Sequence, residues 1–185
     1  YLQVISEILA SHHMEVFGIT YSLSGDTAIR FTKEFGTNIA FANLSSLCLD
    51  GTDGLDISQL LRSTQNVTSL SLENCGIELC LFFGYLSLEK NIILKEINLS
   101  GNKAAKLIKD SLILPESLET ISVANTVFRD DNLLRLLKLL TQKKLNIDVS
   151  RAIMDETKWN QFFDNIDTLN SDSILSLNWN ENAVY

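Results

Sequence analysis

A chain of 185 residues, 45% hydrophobic and 21% charged, has the makeup of a folded protein with one sizeable core or a run of stacked repeats. Its formal net charge of −8 argues against nucleic acid or an anionic membrane surface and for a protein partner with a neutral or basic surface. One proline and no Pro/Gly/Ser-rich run exclude a linker, and no apolar run nears the ~20 residues of a membrane span.

The opening stretch "LQVISEILASHH" carries Glu7 in its middle and has no basic leader, so it reads as a helix and not a signal peptide. From Val16 onward one pattern recurs: apolar-x-x-apolar-x-apolar-x-x, ending in Asn, Cys or a small substitute. "VFGITYSLS" from Val16 is a loose copy with Ser24 in the last slot. "LSSLCLDGT" follows from Leu44 to Thr52, and then the helical "ISQLLRS". "VTSLSLENC" runs from Val67 to Cys75, followed by the short helix "LFFGYLSLE". The fullest copy is "LKEINLSGN" from Leu94 to Asn102, with "AAKLIKDSL" filling the helical slot behind it.

"LETISVANT" from Leu118 to Thr126 leads into "DDNLLRLLKLLTQKK", where Asp130 is the N-cap and lysines complement the last turn. "KLNIDVSRA" from Lys144 keeps only Ile147 and Val149 of the apolar trio, with Ala152 in the last slot. The next helix, "DETKWNQFFDNIDTL", spaces Trp159, Phe162, Phe163, Ile166 and Leu169 along one face. "ILSLNWNEN" from Ile174 ends at Asn182, and its Trp179 sits in an apolar slot and reads as core. Aligned on the middle apolar residue, the copies fall at Ile19, Leu47, Leu70, Ile97, Ile121, Ile147 and Leu177, spaced 28, 23, 27, 24, 26 and 30 residues apart.

Asn is a poor strand residue, so its place at the end of the best copy has another cause. Where the chain leaves a short strand and turns into the stack, backbone N–H and C=O groups must find partners. An Asn side chain supplies both donors and an acceptor, and Cys or Thr supplies part of that set. Thr52, Cys75, Asn102 and Thr126 therefore read as structural ladder residues.

On these repeats the chain resembles the leucine-rich repeat family over essentially its whole length, in its ribonuclease-inhibitor-like subclass. The resemblance implies an α/β fold: a right-handed β-α solenoid, a horseshoe segment with parallel strands on the concave face and helices on the convex face. It implies a single domain over residues 1–185 with about seven strands. Neither end shows the polar cap such arrays need, so the chain is expected to be a fragment of a longer array. "LSSLCLDGTDGLDISQLL" and "LKEINLSGNK" are similar to repeats of the CARMIL family of actin-capping-protein regulators, and they fit the sensor arms of NOD-like receptors as well.

In such a strand the x positions point outward. Three outward columns follow: one through Ser46, Ser69 and Glu96, one through Cys48, Ser71 and Asn98, and one through Asp50, Glu73 and Ser100. The face is small and polar, acidic at Asp50, Glu73, Glu96, Glu119 and Asp148, with Asn98 and Asn178 beside them and Lys95 as its lone cation. It lacks the aromatics and arginines that make interface hot spots. These seven residues form the expected binding face, a shallow platform for a basic or neutral partner.

Chemistry is hard to find. Adjacent His12 and His13 point to different helix faces and cannot ligate one ion. Three cysteines, at no metal-ligand spacing, read as free thiols in a reducing compartment: Cys75 in the ladder, Cys80 in the core and Cys48 outward with no base beside it. The glycines of "SGDTA" and "LSGNKA" lack phosphate-loop spacing. No metal, cofactor or catalytic residue is expected. The reading is a cytoplasmic, non-catalytic scaffold that binds protein, in a regulator of actin assembly or signalling. Alternatives within the same repeat subclass are a GTPase activator of the Ran-activating type, for which Arg129 and Arg151 follow strands without the surrounding pattern, and the recognition arm of an immune sensor or ubiquitin ligase.

Overall fold

A computed structural model describes residues 2–11, 14–21, 23–36 and 43–184. His12 and His13 lie outside the described residues. Helix α1 (Leu2–Ser11) precedes strand β1 (Val16–Gly18) and helix α2 (Gly25–Gly36). Strand β2 (Ser46–Cys48) leads to α3 (Ile57–Ser63), and β3 (Ser69–Ser71) to α4 (Leu79–Leu86). Then come β4 (Glu96–Asn98), β5 (Lys103–Ala104), β6 (Thr120–Ser122), β7 (Val127–Phe128) and α5 (Asn132–Leu140). The chain continues through β8 (Leu145–Asp148), β9 (Ile153–Met154), α6 (Glu156–Asn165), β10 (Ile174–Asn178) and β11 (Ala183–Val184).

The architecture is α/β. Seven strands form one parallel sheet in the order β1-β2-β3-β4-β6-β8-β10, and the short strands β11-β9-β7-β5 form a second parallel sheet. In the main sheet Leu47, Leu70, Ile97, Ile121 and Ile147 stand opposite one another on successive strands. All five are at most 2% exposed. Behind them a second buried row, Leu49, Leu72, Leu99, Val123 and Val149, completes the inner surface. Burial of such side chains, each worth about 1.5–3 kcal/mol, is what fixes the register.

The helices close the other side of this core. Leu60 and Leu61 of α3, Phe82 and Phe83 of α4, and Leu133, Leu136, Leu137 and Leu140 of α5 are buried. Asp56 and Asp155 cap α3 and α6, their carboxylates accepting from Gln59 N (3.0 Å) and Lys158 N (2.9 Å). Trp179 is half-buried, stacked on Phe162 and edge-on to Trp159.

Four expectations need correction. The first repeat pairs Phe17, not Ile19, with Leu47. Ile19 instead takes the next inward position, its N–H bonded to Cys48 O just as Leu49 N bonds Ser71 O. The shift of two residues moves the ladder slot from Ser24 to Ser22, which lies outside the described residues. The sixth copy recruits Leu145, fully buried, beside Ile147. Asp130 does not cap α5: it adopts a left-handed conformation (φ 54°), and Asp131 precedes the helix with its carboxylate paired to Arg135 at 2.8 Å.

The fourth correction matters most. "AAKLIKDSL" forms no helix. In a helix Ile108 N–H would donate to Ala104 C=O. The buried side-chain amide of Asn132 inserts between them, its Nδ2 donating to Ala104 O (2.8 Å) and its Oδ1 accepting from Ile108 N (3.1 Å). Glu78 Oε1 takes Lys106 N–H at 3.0 Å. With those groups occupied, residues beyond Ala104 run irregularly past α4. The second small sheet was not anticipated: two-residue strands carry too little pattern to be read.

Candidate binding face

The outward columns are set by strand register. Ser46, Ser69, Glu96, Thr120, Asn146 and Ser176 stand side by side, as do Cys48, Ser71, Asn98, Ser122, Asp148 and Asn178. The third column is tied by its following residue. Gly51, Asn74, Gly101, Asn125 and Arg151 each donate their N–H to the next strand's third-column carbonyl: Glu73, Ser100, Ala124, Ser150 and Asn180. All five have positive φ, between 53° and 70°. Glycine and asparagine tolerate that conformation best. The recurring Gly or Asn was the sequence signal for this turn, obscured where Tyr21, Arg151 and Glu181 occupy it.

Beneath the turns lie the slot residues. Asn102 is buried and uses its whole amide: Oδ1 accepts from Cys75 N (3.1 Å) and Ile77 N (2.9 Å), while Nδ2 donates to Leu72 O and Leu99 O, both at 2.8 Å. Cys75 Sγ reaches Leu49 O at 3.2 Å, the same carbonyl one repeat earlier. Asn182, which the sequence reading left among the weak copies, accepts from Ala152 N (2.7 Å) and donates to Trp179 O (3.2 Å). Thr126 makes one long bond to Ala124 O, and the buried Thr52 hydroxyl has no partner among the described residues.

Burial pushes the Cys75 thiol up to about 11, and Asp50 nearby adds to the rise. Its folded-state pKa lies above the ordinary cysteine value of 9.0, so the thiol contributes stability that is present below about pH 9 and lost as pH climbs toward 11. Between pH 9 and 11 wild type is therefore expected to lose about 2–3 kcal/mol more stability than Cys75→Val. Equal pH slopes for the two proteins would remove the thiol from the account.

On the face itself the acidic groups are held by hydrogen bonds. Asp50 Oδ1 accepts from Ser71 Oγ (2.6 Å) and Glu73 N (2.8 Å). Asn98 Nδ2 donates to Ser71 Oγ (3.2 Å) and Glu73 Oε2 (3.3 Å), and its Oδ1 accepts Ser100 N–H. Farther along, Ser122 donates to Asp148 Oδ2 at 3.4 Å. Asp148 and Asn178 each accept from a backbone N–H two residues on, Ser150 N and Asn180 N. Glu119 is exposed and paired with Lys95 at 3.3 Å, which takes that cation away from its other neighbours. Glu96 is exposed, with no side-chain partner among the described residues. Asp50, Glu73, Glu96 and Asn98 thus share an anionic sector on β2–β4, while Asp148 and Asn178 lie apart toward β10.

Two residues change the character of this face. Tyr21, read from the sequence as an inward apolar position, is 70% exposed in the left-handed turn that flanks β1. Its ring lies over Gly51, where an added Cβ would sit 2.2 Å from ring carbon, and its hydroxyl accepts from Asn74 Nδ2 at 3.2 Å. The face therefore has an aromatic beside Glu73 and Asn74. At the opposite end Arg151 is exposed and paired with Glu181 at 2.7 Å. The same register error that displaced Ile19 hid Tyr21.

Burial also raises the Cys48 thiol, with Asp50 contributing, so the sulfur facing this surface is a poor nucleophile. Cys80 is half-buried at the start of α4, not fully in the core. Among the described residues no group of three or more His, Cys, Asp or Glu could hold a metal ion, and no helix is long and apolar enough to cross a membrane. No protein-family profile matches the chain, and no curated protein is significantly similar to it.

Proposed function

We propose that the chain is a leucine-rich repeat segment of the ribonuclease-inhibitor-like subclass, a β-α solenoid that works as a cytoplasmic, non-catalytic protein-binding scaffold. The supporting observation is the in-register parallel sheet whose outward columns gather Asp50, Glu73, Glu96 and Asn98 beside an exposed Tyr21. A basic segment laid across β2–β4 would find carboxylates already oriented by Ser71 and Asn98, and an aromatic ring at the rim for a lysine or arginine to stack on. Carboxylates pre-set by their neighbours lose little freedom on binding, which favours affinity.

Charge reversal tests the reading. Partners captured by the wild-type chain are expected to be recovered at least about tenfold less by Glu73→Lys/Glu96→Lys, since like charges placed across an interface cost several kcal/mol. Equal recovery of every partner by the two proteins overturns it.

A further inference from the structure

On the other side of the molecule, the irregular path of residues 105–114 leaves a groove against α4. Helices α2 and α3, α3 and α4, and α5 and α6 pack against each other, but α4 and α5 are not such a pair. Beside α4 lies an open cavity of about 490 Å³, walled by α4 and the irregular segment and including Leu81, Tyr85, Leu88 and Leu107. Leu81 and Tyr85 lie one turn apart on α4 and Leu88 follows in the turn after it, an apolar stripe, yet Leu88 is 72% exposed and Leu107 57%. Gly84 lies on the same wall, and a Cβ built there meets nothing within 4 Å.

The charge around this groove runs against that of the whole chain. Lys109 lines it and Lys106 lies close to Cys80 on its wall, with Glu78 the one carboxylate near that cysteine among the described residues. Among the described residues neither Lys106 nor Lys109 has a carboxylate ion-pair partner: Asp110 is bound to Arg135, and Glu78 accepts from the Lys106 backbone N–H. From the helical stripe, the missing neighbour and the unpaired lysines, we infer that the groove receives an amphipathic helix of a partner protein, apolar on one side and acidic along its flank. The occupant packs against α4 and residues 107–112. A concave slot suits a helix better than a flat bilayer.

This inference is independent of the polar sheet face, and its test keeps the two apart. The probes are a stapled helix with leucines at i, i+4 and i+7 flanked by glutamates, its scramble, and a copy with lysines for glutamates, each read by fluorescence anisotropy. The glutamate helix is expected to bind at least about tenfold tighter than either control. Gly84→Leu fills the slot while improving helix propensity, and it should lower affinity at least about tenfold, as a buried clash at a small interface does. Lys106→Glu/Lys109→Glu should weaken the glutamate helix and favour the lysine copy, whereas Glu73→Lys/Glu96→Lys leaves binding unchanged.

Several outcomes overturn it. These are binding of no peptide, equal binding of the scramble, indifference to charge reversal, and adsorption to phosphatidylserine vesicles that Gly84→Leu abolishes. Self-association of the wild-type chain that disappears in Gly84→Leu would assign the groove to a second copy instead, and also overturns it.

Discussion

Asn102→Ala is expected to lower the unfolding free energy by about 3–5 kcal/mol, a large share of the roughly 5–15 kcal/mol typical of a folded domain. The size follows from what the amide holds. Two N–H groups, of Cys75 and Ile77, and two carbonyls, of Leu72 and Leu99, converge on one side chain that is 2% exposed. Alanine leaves all four without partners in a site sealed by Leu72 and Leu99, and each orphaned group costs about 1–3 kcal/mol unless water enters. Asn102→Cys should lose less than the alanine variant, because a thiol can still donate toward Leu72 O as Cys75 does toward Leu49 O. Urea unfolding monitored by circular dichroism reads both, with an unchanged m-value as the sign that only the native state is affected. A loss below about 1 kcal/mol for Asn102→Ala would show that the amide is not what joins adjacent turns.

Much of the fold was legible because its main signal is long-ranged. Six of the seven middle apolar positions were placed on their strands by spacing alone, since a slip of one residue would turn Leu70 or Ile97 outward. The first repeat failed for a definable reason: "VFGITYSLS" offers Val16, Phe17, Ile19 and Tyr21, so more than one frame satisfies the pattern, and burial alone separates them. Val16 and Tyr21 are exposed, Phe17 and Ile19 pack inward. The candidate face was read correctly in its columns and incompletely in its chemistry, because the frame error concealed Tyr21.

Local periodicity proved weaker evidence than side-chain capture. "AAKLIKDSL" spaces its apolar residues as a helix would, yet Asn132, nearly thirty residues away, takes the backbone groups that helix requires. No window around Ala104 contains that information. The same capture opens the groove beside α4, so the least legible segment is also the one that gives the helical side a recognition surface.

A second large effect concerns how neighbouring strands bury each other. Ile97→Ala is expected to destabilise the chain by about 2–4 kcal/mol, and Leu177→Ala by less than about 1 kcal/mol, although the two occupy the same place in their strands. Ile97 has strands on both sides, β3 and β6, and is 2% exposed. Leu177 has β8 on one side, follows a bulge between Ile174 and Ser176, and is 41% exposed. Truncating a side chain that is enclosed on both flanks removes its contacts and leaves a cavity; truncating one open to water leaves none. If position in the sequence pattern governed stability, the two variants would lose similar amounts. Paired denaturant titrations decide between those accounts, and a Leu177→Ala loss equal to that of Ile97→Ala would show that β10 is enclosed in solution by something packed along its open side.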